Sequence, residues 1–399
     1  MEGKATTFCT IFPSYRDYHF FKDPGQVPYR FARLGYDTTL VCYRNKSSFP
    51  ETEKHMKVRI LPDRWMLRKF NSAIIIYLFF NSRRIDILNT FHLNWSSLLF
   101  VGLYKLFNRK GFAYVKLDNC IFSGKYPWEE DYASEKPAQT GHRKLKRRLK
   151  GSIARHFFLN KVDLWSVEDE YSREQYEQKY AFFKGKLITV YNGHTSDLPG
   201  SAPPCGLNEK EDIIMTAGRL GAYQKATEVL LEAFRTVASQ SSYDLHLAGS
   251  VETGFLGYIE DFFRSNPGLK QRVFFHGPLG RDELYGLYRK SKIFCISSRY
   301  EGMAIVFPEA MYYSNAIVTT WPVSLKYLID KHEAGLAVET DNPNALAEAL
   351  LRLINDGNLM AGLAQNARSI AETQLNWNNI ISQLEEEIKN RMHREKHTA

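Results

Sequence analysis

Two glutamates stand with seven residues between them in the run Ser298-Arg-Tyr-Glu301-Gly-Met-Ala-Ile-Val-Phe-Pro308-Glu309-Ala-Met311. Each carboxylate is a two-oxygen acceptor that can grip sugar hydroxyls. An apolar run ending at Cys295-Ile296 precedes them and reads as a buried parallel strand. Pro308 is well tolerated only in the first turn of a helix, so a helix is expected to start near Ile305–Phe307. Gly302, Met303 and Ala304 then lie on a strand-to-helix turn whose backbone N–H groups suit a diphosphate. Donors for a diphosphate beside acceptors for sugars have the shape of a nucleotide sugar. A plainer reading of the same residues is also open: Glu309 favours the helix dipole and Glu301 sits on a surface turn.

A second pair of groups lies upstream. Arg219 leaves a strand in Ala217-Gly-Arg219-Leu220, and Lys225 follows at the mouth of the next helix. Both stand where ligands of parallel sheets bind, at a strand's carboxyl end. Two fixed cations and a helix terminus would stabilise a departing nucleoside diphosphate without a metal. Alone, the pair reads equally as two surface cations.

These residues need a scaffold that brings strand ends together. From Ala5 to Tyr191, strand-like runs alternate with helical ones, and the alternation resumes from Asp212 onward. Pro199–Leu207 is rich in Pro, Gly, Ser and Ala and reads as a linker. The expected architecture is α/β, two doubly wound parallel sheets facing a central cleft. The expected boundaries are 1–198 for an acceptor-side domain, 199–208 for the linker and 209–375 for a nucleotide-sugar domain. The helix in 376–399 is expected to cross back to the first domain. In the first half, one strand delivers His92 and another delivers Asp118, with the loop Lys22-Asp-Pro-Gly25 ahead of a short helix at Tyr29–Arg33. The dinucleotide, P-loop, zincin and nucleophile-elbow motifs are all absent.

The donor-side motifs resemble the retaining glycosyltransferases of family 4, which have the GT-B fold. The resemblance rests on Gly218-Arg-Leu…Lys225, Phe275-His-Gly277, Ser298–Met311 with its E-x7-E element, Asn192-Gly193 and Gly335–Val338. It implies that Arg219 and Lys225 hold the diphosphate and that Glu309 grips the ribose. Glu301 and the backbone of Gly302–Ala304 would meet the donor sugar and phosphates, with His276–Leu279, including Gly277 and Leu279, near the base. It also places Asp118 where many members carry a histidine beside the donor sugar, with His92 as the second candidate. Gly25 would replace a glycine-rich loop. The lysine is usually followed by glycine; here Ala226 stands there.

The implied activity is retaining transfer from a UDP- or GDP-linked sugar to a saccharide or lipid-linked saccharide, in polysaccharide or glycan biosynthesis, with no cofactor and no metal. A nucleotide-sugar epimerase and a sugar-nucleotide- or lipid-binding relative without turnover are the alternatives.

The net charge of +9 favours anionic partners. A cationic segment, His142–His156, carries Lys144, Arg147, Arg148 and Lys150 beside an apolar stripe of Leu145, Leu149, Ile153 and Phe157. It suits anionic headgroups, or equally a helix with a solvated basic face. No nucleic-acid motif accompanies it. Five scattered cysteines without a C-x-x-C pair indicate neither a disulfide framework nor a zinc site. No leader or membrane-spanning run is evident. A cytoplasmic protein, peripheral at the inner membrane face, is expected.

Overall fold

A computed structural model describes residues 5–63, 71–117, 158–198, 203–321 and 325–398. Asp118, the segment His142–His156 and the linker residues 199–202 lie outside the described residues. The chain forms two units, Met1–Val190 with Ile380–Ala399, and Tyr191–Asn379.

The first unit runs β1 (Thr7–Ile11), α1 (Asp23–Arg33), β2 (Asp37–Tyr43), β3 (Lys57–Leu61), α2 (Ser72–Asn81), β4 (Ile87–Phe91), α3 (Trp95–Phe107), β5 (Phe112–Lys116), β6 (Leu164–Val167), α4 (Glu170–Lys179) and β7 (Leu187–Thr189). Its sheet has the order β3-β2-β1-β4-β5-β6-β7, and all pairings are parallel. The order reverses between β1 and β4. α1 starts six residues before the expected Tyr29. Asp23 and Pro24 open its first turn, where an acid meets the dipole and proline has no N–H to lose. Gly25 is therefore helical and does not end a loop. A Cβ there would stand 2.4 Å from the Phe20 Cα, so close packing of α1 on the preceding turn requires glycine.

The second unit runs β8 (Glu211–Ala217), α5 (Thr227–Ala238), β9 (Asp244–Ala248), α6 (Leu256–Ser265), β10 (Val273–Gly277), α7 (Arg281–Lys290), β11 (Ser291–Ile296), α8 (Val306–Tyr312), β12 (Ala316–Trp321), α9 (Leu325–His332), β13 (Gly335–Glu339), α10 (Pro343–Asn355) and α11 (Gly357–Thr373). The last helix, α12 (Trp377–Thr398), contributes residues to both units. The sheet order is β10-β9-β8-β11-β12-β13, again with parallel pairing. Successive residues of β11 enter different cores: Ile293 and Cys295 one, Phe294 and Ile296 the other. Burial on both faces explains why that strand reads as an unbroken apolar run.

Cys9, Cys42 and Cys295 are buried and unpaired, and Cys205 is half-buried. No described helix is long and apolar enough to cross a membrane.

Candidate active site

In the second sheet the strand order turns back between β8 and β11, and ligands of such sheets bind outside the strand ends at that point. The loops leaving β8 and β11 carry Arg219, Lys225 and Glu301. Lys225 Nζ lies 2.5 Å from Glu301 Oε2. The same oxygen accepts Ser298 Oγ at 3.2 Å, and Gln224 Nε2 donates to Glu301 Oε1 at 3.2 Å. The sequence thus brings cation and carboxylate together across 76 positions. Arg219 is exposed and has no ion-pair partner among the described residues.

Arg299 ties the two loops to each other. Its guanidinium pairs with Glu228 at 2.6 Å and Asp341 at 2.7 Å, donates to Tyr223 O and stacks over the Tyr223 ring. Its backbone N–H donates to Gln224 O at 2.8 Å. Ser297 Oγ completes the fastening by donating to Lys225 O and Ala226 O. Ala226 itself has φ 45° and ψ 46°, the left-handed conformation that glycine adopts without strain. Alanine keeps the turn that a glycine would make, so the departure from the family pattern leaves the geometry intact. Gly249 (φ 130°) leaves no room for a side chain, because a Cβ would collide with Gly218 O.

α8 begins at Val306 with Ile305 as N-cap, as the proline predicts, and its seven residues include Pro308 in the first turn. Asn192 Nδ2 donates to Met303 O at 2.9 Å and anchors the turn Gly302–Ala304. Met303 is buried, while Gly302 and Ala304 are half-buried. Gly277 has φ 68° at the end of β10 and its carbonyl accepts Gly249 N–H. Leu279 packs against the neighbouring core.

Glu309 has a different environment from Glu301. Its oxygens accept the hydroxyls of Tyr285 at 3.3 Å and Tyr288 at 3.2 Å, both from α7. Burial pushes its carboxyl up to about 7, against the pull of the two tyrosine hydroxyls and Arg281. Tyr285 also bonds Thr195 Oγ1 at 2.8 Å. Sequence reading placed Glu309 as an open acceptor. The structure shows a carboxylate already held by α7, because the tyrosines at i and i+3 of that helix share its face.

In the first unit the corresponding reversal lies between β1 and β4, and His92 follows β4 there. His92 has φ 63°, an uncommon conformation for a non-glycine residue, and its N–H donates to Lys116 O. Its ring lies 5.7 Å from that of Phe12, which also meets His19 at 5.1 Å. Burial and the Lys22 charge lower His19 to about 4, so its ring is neutral at pH 7. Lys116, fully buried, donates to Val190 O at 3.0 Å and lies 3.9 Å from Glu168. Sequence reading assigned neither Lys116 nor Glu168; a lysine closing an apolar strand was the available signal. Among the described residues, no cluster of three or more His, Cys, Asp or Glu could hold a metal ion.

The family model of glycosyl transferases group 1 matches residues 211–356, the span that holds every donor-side residue from Gly218 to Glu309. An uncharacterised glycosyltransferase of Methanocaldococcus jannaschii is 30% identical over 179 residues, 45% of this chain and 45% of that relative. An α-1,4-N-acetyl-D-galactosaminyltransferase of Campylobacter jejuni that acts on an undecaprenol-linked saccharide is 29% identical over 192 residues, 46% of this chain and 50% of its own. These matches span about half the length of the curated relatives. Among solved structures, HepE of Anabaena in complex with UDP superposes with a TM-score of 0.69 at 16% identity, covering 96% of this chain and 100% of that one. A glycosyltransferase of Rickettsia africae gives 0.71 at 14% identity, covering 98% and 99%. Two parallel-sheet units and these neighbours agree on a chain of GT-B fold, whose residues 211–356 match the model of glycosyl transferases group 1.

Proposed function

We propose that this chain is a retaining, metal-independent glycosyltransferase of the family 4 type, moving a sugar from a nucleotide donor to a saccharide or lipid-linked saccharide. The observation that carries the reading is the Lys225–Glu301 pair beside the exposed Arg219, at the strand-order reversal of the matched domain. An ammonium has three donors. One goes to Glu301, which fixes the side chain, and the others are left for a diphosphate. Arg219 adds a planar fork suited to the same anion. Together they would stabilise the charge that grows as the diphosphate leaves. Glu309 would accept the ribose hydroxyls by sharing oxygens with Tyr285 and Tyr288. Gly277 and Leu279 would flank the base. The Anabaena neighbour was solved with UDP, which makes uridine diphosphate the first nucleotide to try.

The test has two steps. Thermal shifts across UDP- and GDP-sugars identify the donor, because a ligand of the folded state raises the melting temperature by mass action. Nucleotide release is then measured with and without saccharide acceptors. Release only with acceptor supports transfer; release or sugar isomerisation without any acceptor defeats it. Turnover is expected to survive EDTA. Complete loss restored by magnesium or manganese would overturn the assignment of charge neutralisation to Arg219 and Lys225.

On the acceptor side, Asp118 is proposed to face the donor sugar, as the family resemblance implies. Asp118→Asn removes the charge and keeps the shape. The expected result is an unchanged melting temperature, near-normal nucleotide binding and kcat lower by about 10²-fold. Near-normal turnover would move the role to His92, whose left-handed backbone is the kind of feature found at functional sites. Peripheral association with an anionic inner membrane face is proposed as well, through the cationic run 142–156. Neutralising Lys144, Arg147, Arg148 and Lys150 together should weaken vesicle binding by ~1 kcal/mol per charge.

A further inference from the structure

The first unit presents an apolar surface on α2 and α3 that carries none of the candidate site residues. α2 has no charged residue from Ser72 to Asn81. Ala73, Ile74 and Leu78 enter the core, while Ile76, Phe79 and Phe80 turn outward, the last 71% exposed. Leu106 of α3 is 64% exposed. The Phe79 ring lies 5.0 Å from that of Phe80 and 5.1 Å from that of Phe107, so these side chains form one patch. Scattered apolar residues are ordinary on a surface, but a contiguous aromatic patch marks a contact.

The patch has a cationic border. Arg83 and Arg84 follow α2, Arg109 and Lys110 follow α3, and all four are exposed. None forms an ion pair among the described residues. The two loops are fastened together: Asn108 Nδ2 donates to Ser82 O and Ile85 O, and Tyr104 OH donates to Ile85 O and Asp86 O. The nearby carboxylate of Asp86 is occupied by Thr7.

We propose that this α2–α3 face is a docking surface for an anionic lipid bilayer, with the phenylalanines entering the interface and the border cations meeting lipid phosphates. Aromatic and aliphatic groups ringed by Arg and Lys are the chemistry that such a surface takes. Charge disfavours a second copy of the chain. In a symmetric pair of this chain each cationic border would face its twin. The inference is independent of the donor chemistry.

The full chain is sedimented with phosphatidylcholine vesicles and with equal mixtures of phosphatidylcholine and phosphatidylglycerol. Wild type is expected to pellet with the mixed vesicles only. Phe79→Ser with Phe80→Ser should lower the partition coefficient at least tenfold. Arg83→Gln, Arg84→Gln, Arg109→Gln and Lys110→Gln together should lower it by about fivefold per charge. Both variants should melt within about 2 °C of wild type, since surface changes rarely alter stability by more than a few tenths of a kcal/mol. Thermal shift with nucleotide sugar on the same samples separates failure here from failure of the donor reading. Four outcomes overturn the proposal. One is wild type that ignores mixed vesicles, and a second is a phenylalanine variant that binds them equally well. The third is a dimer that light scattering shows to dissociate in that variant. The fourth is a melting temperature several degrees lower in it, which would mean that the chain itself covers the patch.

Discussion

Lys225→Met is expected to lower kcat/KM for the nucleotide-sugar donor by ~10²–10³-fold, the usual effect of removing one charge-stabilising contact from a transition state. It also leaves Glu301 behind without its cation. Removing one partner of a buried pair is destabilising by ~3–5 kcal/mol, and less here because the Lys225 side chain keeps 17% exposure. The two effects are separable. In Lys225→Met/Glu301→Gln the buried charge is gone, and Gln224 and Ser298 can still bond the amide. The double variant should regain most of the stability, measured by urea unfolding, and none of the activity. If it regains activity with stability, Lys225 serves the fold rather than the diphosphate.

Glu309→Gln should change how stability depends on pH. The carboxyl is raised from its usual 4.5 to about 7 by burial. The folded state therefore holds a proton that the unfolded state gives up above pH 4.5. The sign follows directly: the favourable term is fully present below pH 4.5, is lost as pH rises to 7, and changes no further above it. The loss is on the order of 3 kcal/mol, at about 1.4 per pH step. Glutamine has no such proton, so the stability of wild type relative to the variant should fall by that amount between pH 4.5 and 7. Identical pH profiles by urea unfolding would remove the buried acid from this account. Above about pH 8, where the carboxyl is ionised, donor affinity should fall in the same variant by about tenfold, because an ionised acceptor bonds a hydroxyl more strongly than an amide does. Calorimetry showing unchanged nucleotide affinity would end the ribose assignment.

The donor-side elements were legible because their signals are local. Pro308 fixes the start of α8, and the run ending at Ile296 has the composition of a strand buried on both faces. What sequence could not show is contact between distant positions. Tyr285 and Tyr288 read only as helix residues until α7 is laid against Glu309. Arg299 reads as a surface cation until its two carboxylates arrive from Glu228 and Asp341. α1 was read too short, since Pro24, Gly25 and Pro28 are breakers by propensity, yet packing on the preceding turn overrides them. α9 and α11 were not anticipated. In α11, Gly357 and Gly362 weaken the helical pattern, while the Asp356 side chain caps the helix at Leu359 N–H.

The buried thiols supply a way to time the two units separately. Thiolate is the reactive form, and burial pushes Cys9 and Cys42 up to about 12 and raises Cys295 further. None of the three should be alkylated in the folded chain, so each label records an opening event. Cys9 and Cys42 belong to the first unit and Cys295 to the second. In a Cys120→Ser/Cys205→Ser background, mass-resolved alkylation then acts as two clocks in one molecule. Substitutions at Lys225 or Glu309 should quicken or slow the Cys295 clock, and those at Phe79 and Phe80 should leave both at the wild-type rate.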